Sequence, residues 1–177
     1  MSFKIYSQKC KNDKDPFTNE EITSFDYNRK TVYFEVKNEK ILFDIVFNYW
    51  GERKYEFEKG TEISIKLENG SKFNLKTFKK SSPKIENVTS RSSSGFFQGF
   101  PGFGGGMTTS SSENFTAYSF VFTLTKAELK KLAESEIDII RIPDTDEGKF
   151  IDLKAKGRTK KKIKAIKKGA TCINENI

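Results

Sequence analysis

Hydrophobic and polar residues alternate through most of the first half of the chain, and a period of two is the pattern of a half-buried strand. In 31–36, Val32, Phe34 and Val36 alternate with Thr31, Tyr33 and Glu35. Asn38 and Glu39 then close a hairpin into 41–50, the best candidate for a central strand. There Ile41, Phe43, Ile45, Phe47 and Tyr49 line one face, and Leu42, Asp44, Val46 and Asn48 the other. Phe3 and Ile5 fit a short opening strand, while 13–18 (DKDPFT) is turn chemistry with Pro16 fixing the backbone. Strands are also expected over 54–57, 62–67 and 72–77. Asn69 and Gly70 lie between the last two, and both residue types accept the positive φ that a type I′ hairpin turn demands.

The same reading continues in the second half. Tyr118, Phe120, Phe122 and Leu124 alternate with Ser119, Val121 and Thr123. Thr125 and Glu128 then form a capping box, in which each satisfies a free backbone N–H of the other. The helix that follows runs to about Ser135 with Leu129, Leu132 and Ala133 inward. A β-branched strand over 137–142 turns at 144–148 into 150–153. From Thr159 the period changes: Ile163, Ile166, Ala170 and Ile173 recur at spacings of three and four, with lysines mostly opposite. Gly169 interrupts this helix at a cost of roughly 1 kcal/mol. The predicted fold is β-rich α+β: an antiparallel, meander-like sheet with one capped helix after residue 125 and a basic C-terminal helix. One domain spans 1–158, and the helix over 159–177 docks on it.

One stretch breaks the pattern. Residues 90–112 read SRSSSGFFQGFPGFGGGMTTSSS, low in complexity yet carrying Phe96, Phe97, Phe100 and Phe103. A plain Gly/Ser linker has no need of large rings, since burying one is worth roughly 1.5–3 kcal/mol. The stretch reads as an insertion loop between two strands of one sheet. Loops of this length are commonly functional or disordered. Two readings stand: a loosely packed connection, or a contact loop whose four rings anchor a protein partner or a second copy.

Charge sharpens one other segment. The 177 residues hold 32 basic and 24 acidic side chains. Nine of the basic ones fall in 154–177 against the single acid Glu175, so this tail accounts for the whole net charge of +8. Lys160, Lys161, Lys162, Lys164, Lys167 and Lys168 are its candidate anion-binding residues. They could neutralise nucleic-acid phosphates, lie on an anionic membrane surface, or simply solvate the outer face of a docked helix. Lysine outnumbers arginine and no aromatic ring interleaves, so any nucleic-acid binding would be non-specific.

Catalytic chemistry is thinly served. The chain has no histidine, which excludes Ser–His and Cys–His nucleophile pairs and histidine metal sites. An enzyme without histidine is the third reading. Gly99, Gly102, Gly104, Gly105 and Gly106 are followed by Met107 and Thr108 rather than Lys-Ser/Thr, so no phosphate loop is present. Asp144, Asp146 and Glu147 before Gly148 resemble part of a calcium loop, but the glycine comes one residue early and the flanks read as strands, favouring a solvated turn. No cofactor is expected. Cys10 and Cys172 lie near opposite ends of the chain; they read as unrelated thiols, with a bridge between the ends as the alternative. No apolar run approaches the 18 residues of a spanning helix. The N-terminus lacks the apolar core of a signal peptide. A cytoplasmic protein is therefore expected if Met1 is native, and an exported one if a leader was removed.

Overall fold

The computed structural model describes residues 10–94, 107–144 and 148–177, with 90–94 and 107–111 described by backbone alone. Its elements follow in the order β1 (Cys10–Lys14), β2 (Glu21–Tyr27), β3 (Val32–Lys37), β4 (Lys40–Trp50), β5 (Glu62–Leu67), β6 (Lys72–Lys76), β7 (Lys84–Ser94), β8 (Met107–Leu124), α1 (Lys126–Glu134), β9 (Ile137–Asp144), β10 (Lys149–Lys154) and α2 (Gly157–Asn174). Two antiparallel sheets result, one of six strands ordered β1-β2-β3-β4-β8-β7 and one of four ordered β10-β9-β5-β6. A bridge between Thr77 and Phe122 joins the end of β6 to β8. The fold is β-rich α+β, as the alternation predicts, and β4 is central, with β3 on one side and β8 on the other.

The alternation along each strand decides which sheet face is buried. Ile41, Phe43, Ile45, Phe47 and Tyr49 of β4 face inward with Tyr118, Phe120, Phe122 and Leu124 of β8. The register places Phe25, Phe34, Phe43 and Phe122 in a single cross-strand row. Phe34 and Phe43 stack with ring centroids 4.5 Å apart, a pairing worth about 0.5–1.5 kcal/mol beyond the area it buries. The smaller sheet supplies Ile63, Ile65, Leu67, Leu75, Ile137, Ile140 and Ile142 to the same core. Ile166 of α2, Phe43 and Phe47 of the large sheet, and Ile65 and Ile140 of the small one line one small void. Helix α1 carries the predicted capping box: the Glu128 N–H donates to Thr125 Oγ1 at 3.2 Å, and the Thr125 N–H donates to Glu128 Oε2 at 2.8 Å.

Gly169, the apparent flaw in the tail helix, lies where α2 crosses β2 and β3. A Cβ there would stand 2.5 Å from Phe34 Cδ2 and 2.7 Å from Phe25 Cδ1, well inside van der Waals contact with two buried rings, so a ring or the helix would have to shift. Glycine is required by proximity, and the propensity cost is accepted for it.

Some expectations are corrected. The Asn69/Gly70 hairpin forms, but Gly70 alone has positive φ (85°). The Gly70 N–H donates to Leu67 O, and the Leu67 N–H donates to Ser71 O. This is a type I turn closed by a left-handed glycine. The turn with two positive φ values lies instead at Asn38 (52°) and Glu39 (60°). Segment 54–57 is no strand beyond one bridge, Phe57 to Ser81. The stretch expected as a loop over 90–112 is strand over 90–94 and 107–112. Cys10 and Cys172 are disulfide-bonded, with Cα atoms 5.7 Å apart, so β1 is stapled to the last turns of α2. The expected strand at Phe3 and Ile5 lies outside the described residues.

Replacing Gly169 by alanine should lower the unfolding free energy by about 1–3 kcal/mol, as overpacking does, despite the gain in helix propensity. Urea titration of the two proteins measures this; equal midpoints would mean that the rings yield without cost.

Candidate interaction surface at the root of the β7–β8 ribbon

β4 ends at the pair Trp50–Phe115, and β8 continues beyond it. From the pair Asn87–Asn114 out to Ser94–Met107, β8 is matched by β7 alone. These eight residues of β7 form a two-stranded ribbon of about 27 Å that leaves the sheet and carries the Phe-bearing segment at its far end. Phe96, Phe97, Phe100 and Phe103 themselves lie outside the described residues.

The ribbon's root is tied down by polar contacts that its sequence supplies at alternate positions. Thr116 is fully buried; its hydroxyl accepts the Arg53 N–H at 2.7 Å and donates to Gly51 O at 2.8 Å. Asn114 Nδ2 donates to Glu52 at 2.7 Å, and Asn87 Nδ2 donates to Asn114 Oδ1 at 2.7 Å. Ser112 donates to Asn87 Oδ1 at 2.8 Å. The Tyr118 hydroxyl donates to Tyr55 O at 2.7 Å and the Tyr49 hydroxyl to Pro143 O at 2.9 Å. Burial raises the pKa of both phenols, and the Asp144 carboxylate raises Tyr49 further. They serve as neutral donors. Arg53 and Asp144, each about 20% exposed, approach to 3.8 Å beside them.

Apolar side chains are exposed around this base. Trp50 is 67% exposed and packs on Phe115 with centroids 4.5 Å apart. Tyr55, Ile85 and Val88 are each about half exposed. Strand register puts Trp50, Phe115 and Val88 on one face of the sheet, Trp50 opposite Phe115 and Val88 opposite Glu113, whereas Ile85 stands opposite Thr116 on the other face. The sequence offered one signal for it: Trp50 continues the otherwise mixed face of 41–50, where a large ring has no core to enter.

The tail lysines separate into two groups. Ile163, Ile166, Ala170 and Ile173 are buried as predicted, and Lys160, Lys161, Lys164 and Lys168 are exposed. Lys167 is partly covered; with Lys164 and Lys168 it lines a groove of about 610 Å³ beside Phe25, Cys172 and the acids Glu136 and Glu175. Lys162 turns inward, its Nζ donating to Val46 O and standing 5.4 Å from the centre of the Phe47 ring. Burial lowers its pKa to about 8. Among the described residues, no three His, Cys, Asp or Glu side chains come together to hold a metal ion, and no helix is long and apolar enough to cross a membrane. Asp146 and Glu147 of the calcium-like turn lie outside the described residues.

Compared with known proteins, the chain matches no family model, no curated protein and no solved structure.

Lys162 predicts a pH effect. Its amine titrates near pH 8 when folded and near 10.5 when unfolded, so between these values unfolding takes up a proton and stability rises with pH. Relative to Lys162→Met, the wild-type protein should gain on the order of 1–3 kcal/mol from pH 8 to pH 10. Parallel stability curves across that range would mean that the amine is solvated.

Proposed function

We propose that this is a non-enzymatic interaction protein that offers the β7–β8 ribbon, with Phe96, Phe97, Phe100 and Phe103 at its end, to a protein partner. The observation that carries this reading is the coincidence of two features: the ribbon whose strands bracket the four phenylalanines leaves the sheet beside the pair Trp50–Phe115, and Trp50 and Val88 are exposed there on one face. A polar ladder holds the root in register, which lowers the ordering cost that weakens flexible contact loops. The Cys10–Cys172 bridge supports work in an oxidising compartment, because such bonds persist there and are reduced in the cytosol.

A second reading has its own support. Helix α2 has no acid in its first turn, and Arg158, Lys160 and Lys161 crowd its N-terminal end, where the helix dipole is already positive. Stability alone disfavours cations there. A bound polyanion would reverse the sign of that contribution. In this reading the exposed stripe Lys160, Lys161, Lys164 and Lys168 contacts phosphates of nucleic acid or an anionic membrane.

The first reading is tested by the double variant Phe100→Ser/Phe103→Ser. Complexes captured by the wild-type chain should weaken at least tenfold, since each buried ring contributes roughly 1.5–3 kcal/mol, while the urea midpoint stays unchanged. Undiminished capture and sedimentation would sink it. For the second, the chain should bind immobilised heparin at low salt and elute earlier when Lys160, Lys161 and Lys164 are changed to Gln, with a shallower salt dependence. Flow-through of the intact protein at low salt would eliminate it.

A further inference from the structure

The two sheets leave four edge strands: β1, β7, β10 and β6. A strand edge presents unpaired N–H and C=O groups that template pairing with another chain, and proteins blunt such edges with charge, proline or short length. All four carry charge, but three of them are also short. β1 (CKNDK), β6 (KFNLK) and β10 (KFIDLK) have five, five and six residues, with at least two charged side chains each. β7 has eleven residues, KIENVTSRSSS, with no proline; its charges are Lys84, Glu86 and Arg91, which leave 87–90 uncharged. Its pairing with β8 runs without a register shift from Lys84 to Ser94. Among the described residues nothing pairs with its outer edge. Beyond Phe115 the ribbon has only two strands, and a two-stranded ribbon is marginal in water until a further strand joins it.

We infer that β7 is the interface for a second copy of this chain, joined antiparallel through a two-fold axis at Val88 to make one continuous twelve-stranded sheet. The register follows from symmetry. A two-fold axis perpendicular to a sheet keeps each face on its own side, so some residue must stand opposite its own copy. With Val88 at the axis, Asn87 faces Thr89, Glu86 faces Ser90, Ile85 faces Arg91 and Lys84 faces Ser92. No charge meets a like charge, and the half-exposed Val88 meets its own side chain. Nine residues on each chain pair, a length of about 30 Å. The ribbon part of each β7 lies against the sheet-supported base of the other, so each supplies the strand the other lacks. Trp50 and Phe115 flank the seam on the same face as Val88. An unrelated extended peptide could use the same edge, but only a second copy is guaranteed this match of length, charge and face.

The inference does not rest on the phenylalanine-bearing tip, and the two can fail separately. The full-length oxidised chain is examined by sedimentation equilibrium from roughly 1 to 200 μM, the Kd range that modest interfaces reach. The wild type should sediment at twice 20.3 kDa. Val88→Lys and Val88→Glu should each sediment as monomers with an unchanged urea midpoint, because Val88 lies outside the core and like charges would meet at the axis. An equimolar mixture of these two variants should recover the dimer, a rescue that requires residue 88 to face residue 88. A wild-type monomer at every concentration overturns the inference. So does a dimer that survives both charge variants, and so does one abolished by Phe100→Ser/Phe103→Ser but not by Val88→Lys.

Discussion

The approach of α2 to the rings of Phe25 and Phe34 sets the depth of the core, and it depends on the missing side chain at residue 169. With the helix backbone this close, Ile163, Ile166, Ala170 and Ile173 reach the space between the sheets, and Ile166 touches residues from both. Held further out, the helix would leave the inner face of β2 and β3 without a cover. The aromatic row across β2, β3, β4 and β8 would then end at solvent. The same placement brings Cys172 to Cys10 and turns Lys162 toward β4. Packing of one helix on one row of rings thus fixes the ends of the chain and sorts the tail lysines.

That sorting bears on function. A basic amphipathic helix can serve as a docked lid, an anion-binding stripe, or both, and α2 has the geometry of both. Its apolar side is spent on the core, so it has none left to insert into a bilayer; an anionic partner would meet lysines only. The ribbon makes the opposite use of its residues. Its inner positions form a polar ladder, Asn87, Ser112 and Asn114, which maintains strand register without a core. The exposed rings and aliphatic side chains at its root are left over from folding.

How much of this was legible in the sequence follows from how strongly each strand is partitioned. β4, β5 and the supported part of β8 bury one face and expose the other to differing degrees, and their alternation could be read residue by residue. The capping box and the inward set of α2 were equally plain. β2 was missed because only Phe25 in it is fully buried, so no period appears. β1 is exposed throughout, and β7 is exposed at every described side chain; strands held by backbone pairing alone leave no hydrophobic pattern. Gly169 was read as a weakness because propensity is local, while the rings it accommodates are more than 130 residues away in sequence. The cysteine pair was undecidable for the same reason, and the exposed cluster at Trp50 became visible only when β8 and β7 were placed beside it.

The bridge between Cys10 and Cys172 spans 162 residues of sequence. From one cysteine to the other the backbone is therefore a closed covalent ring. A protease that cuts that ring once, at the ribbon or in any other exposed segment, does not release a fragment: the pieces stay attached through the sulfurs, and α2 stays tethered to β1. Two cuts, or one cut and a reductant, are needed to separate them. Loss of the ribbon and loss of the fold are in this sense topologically independent events.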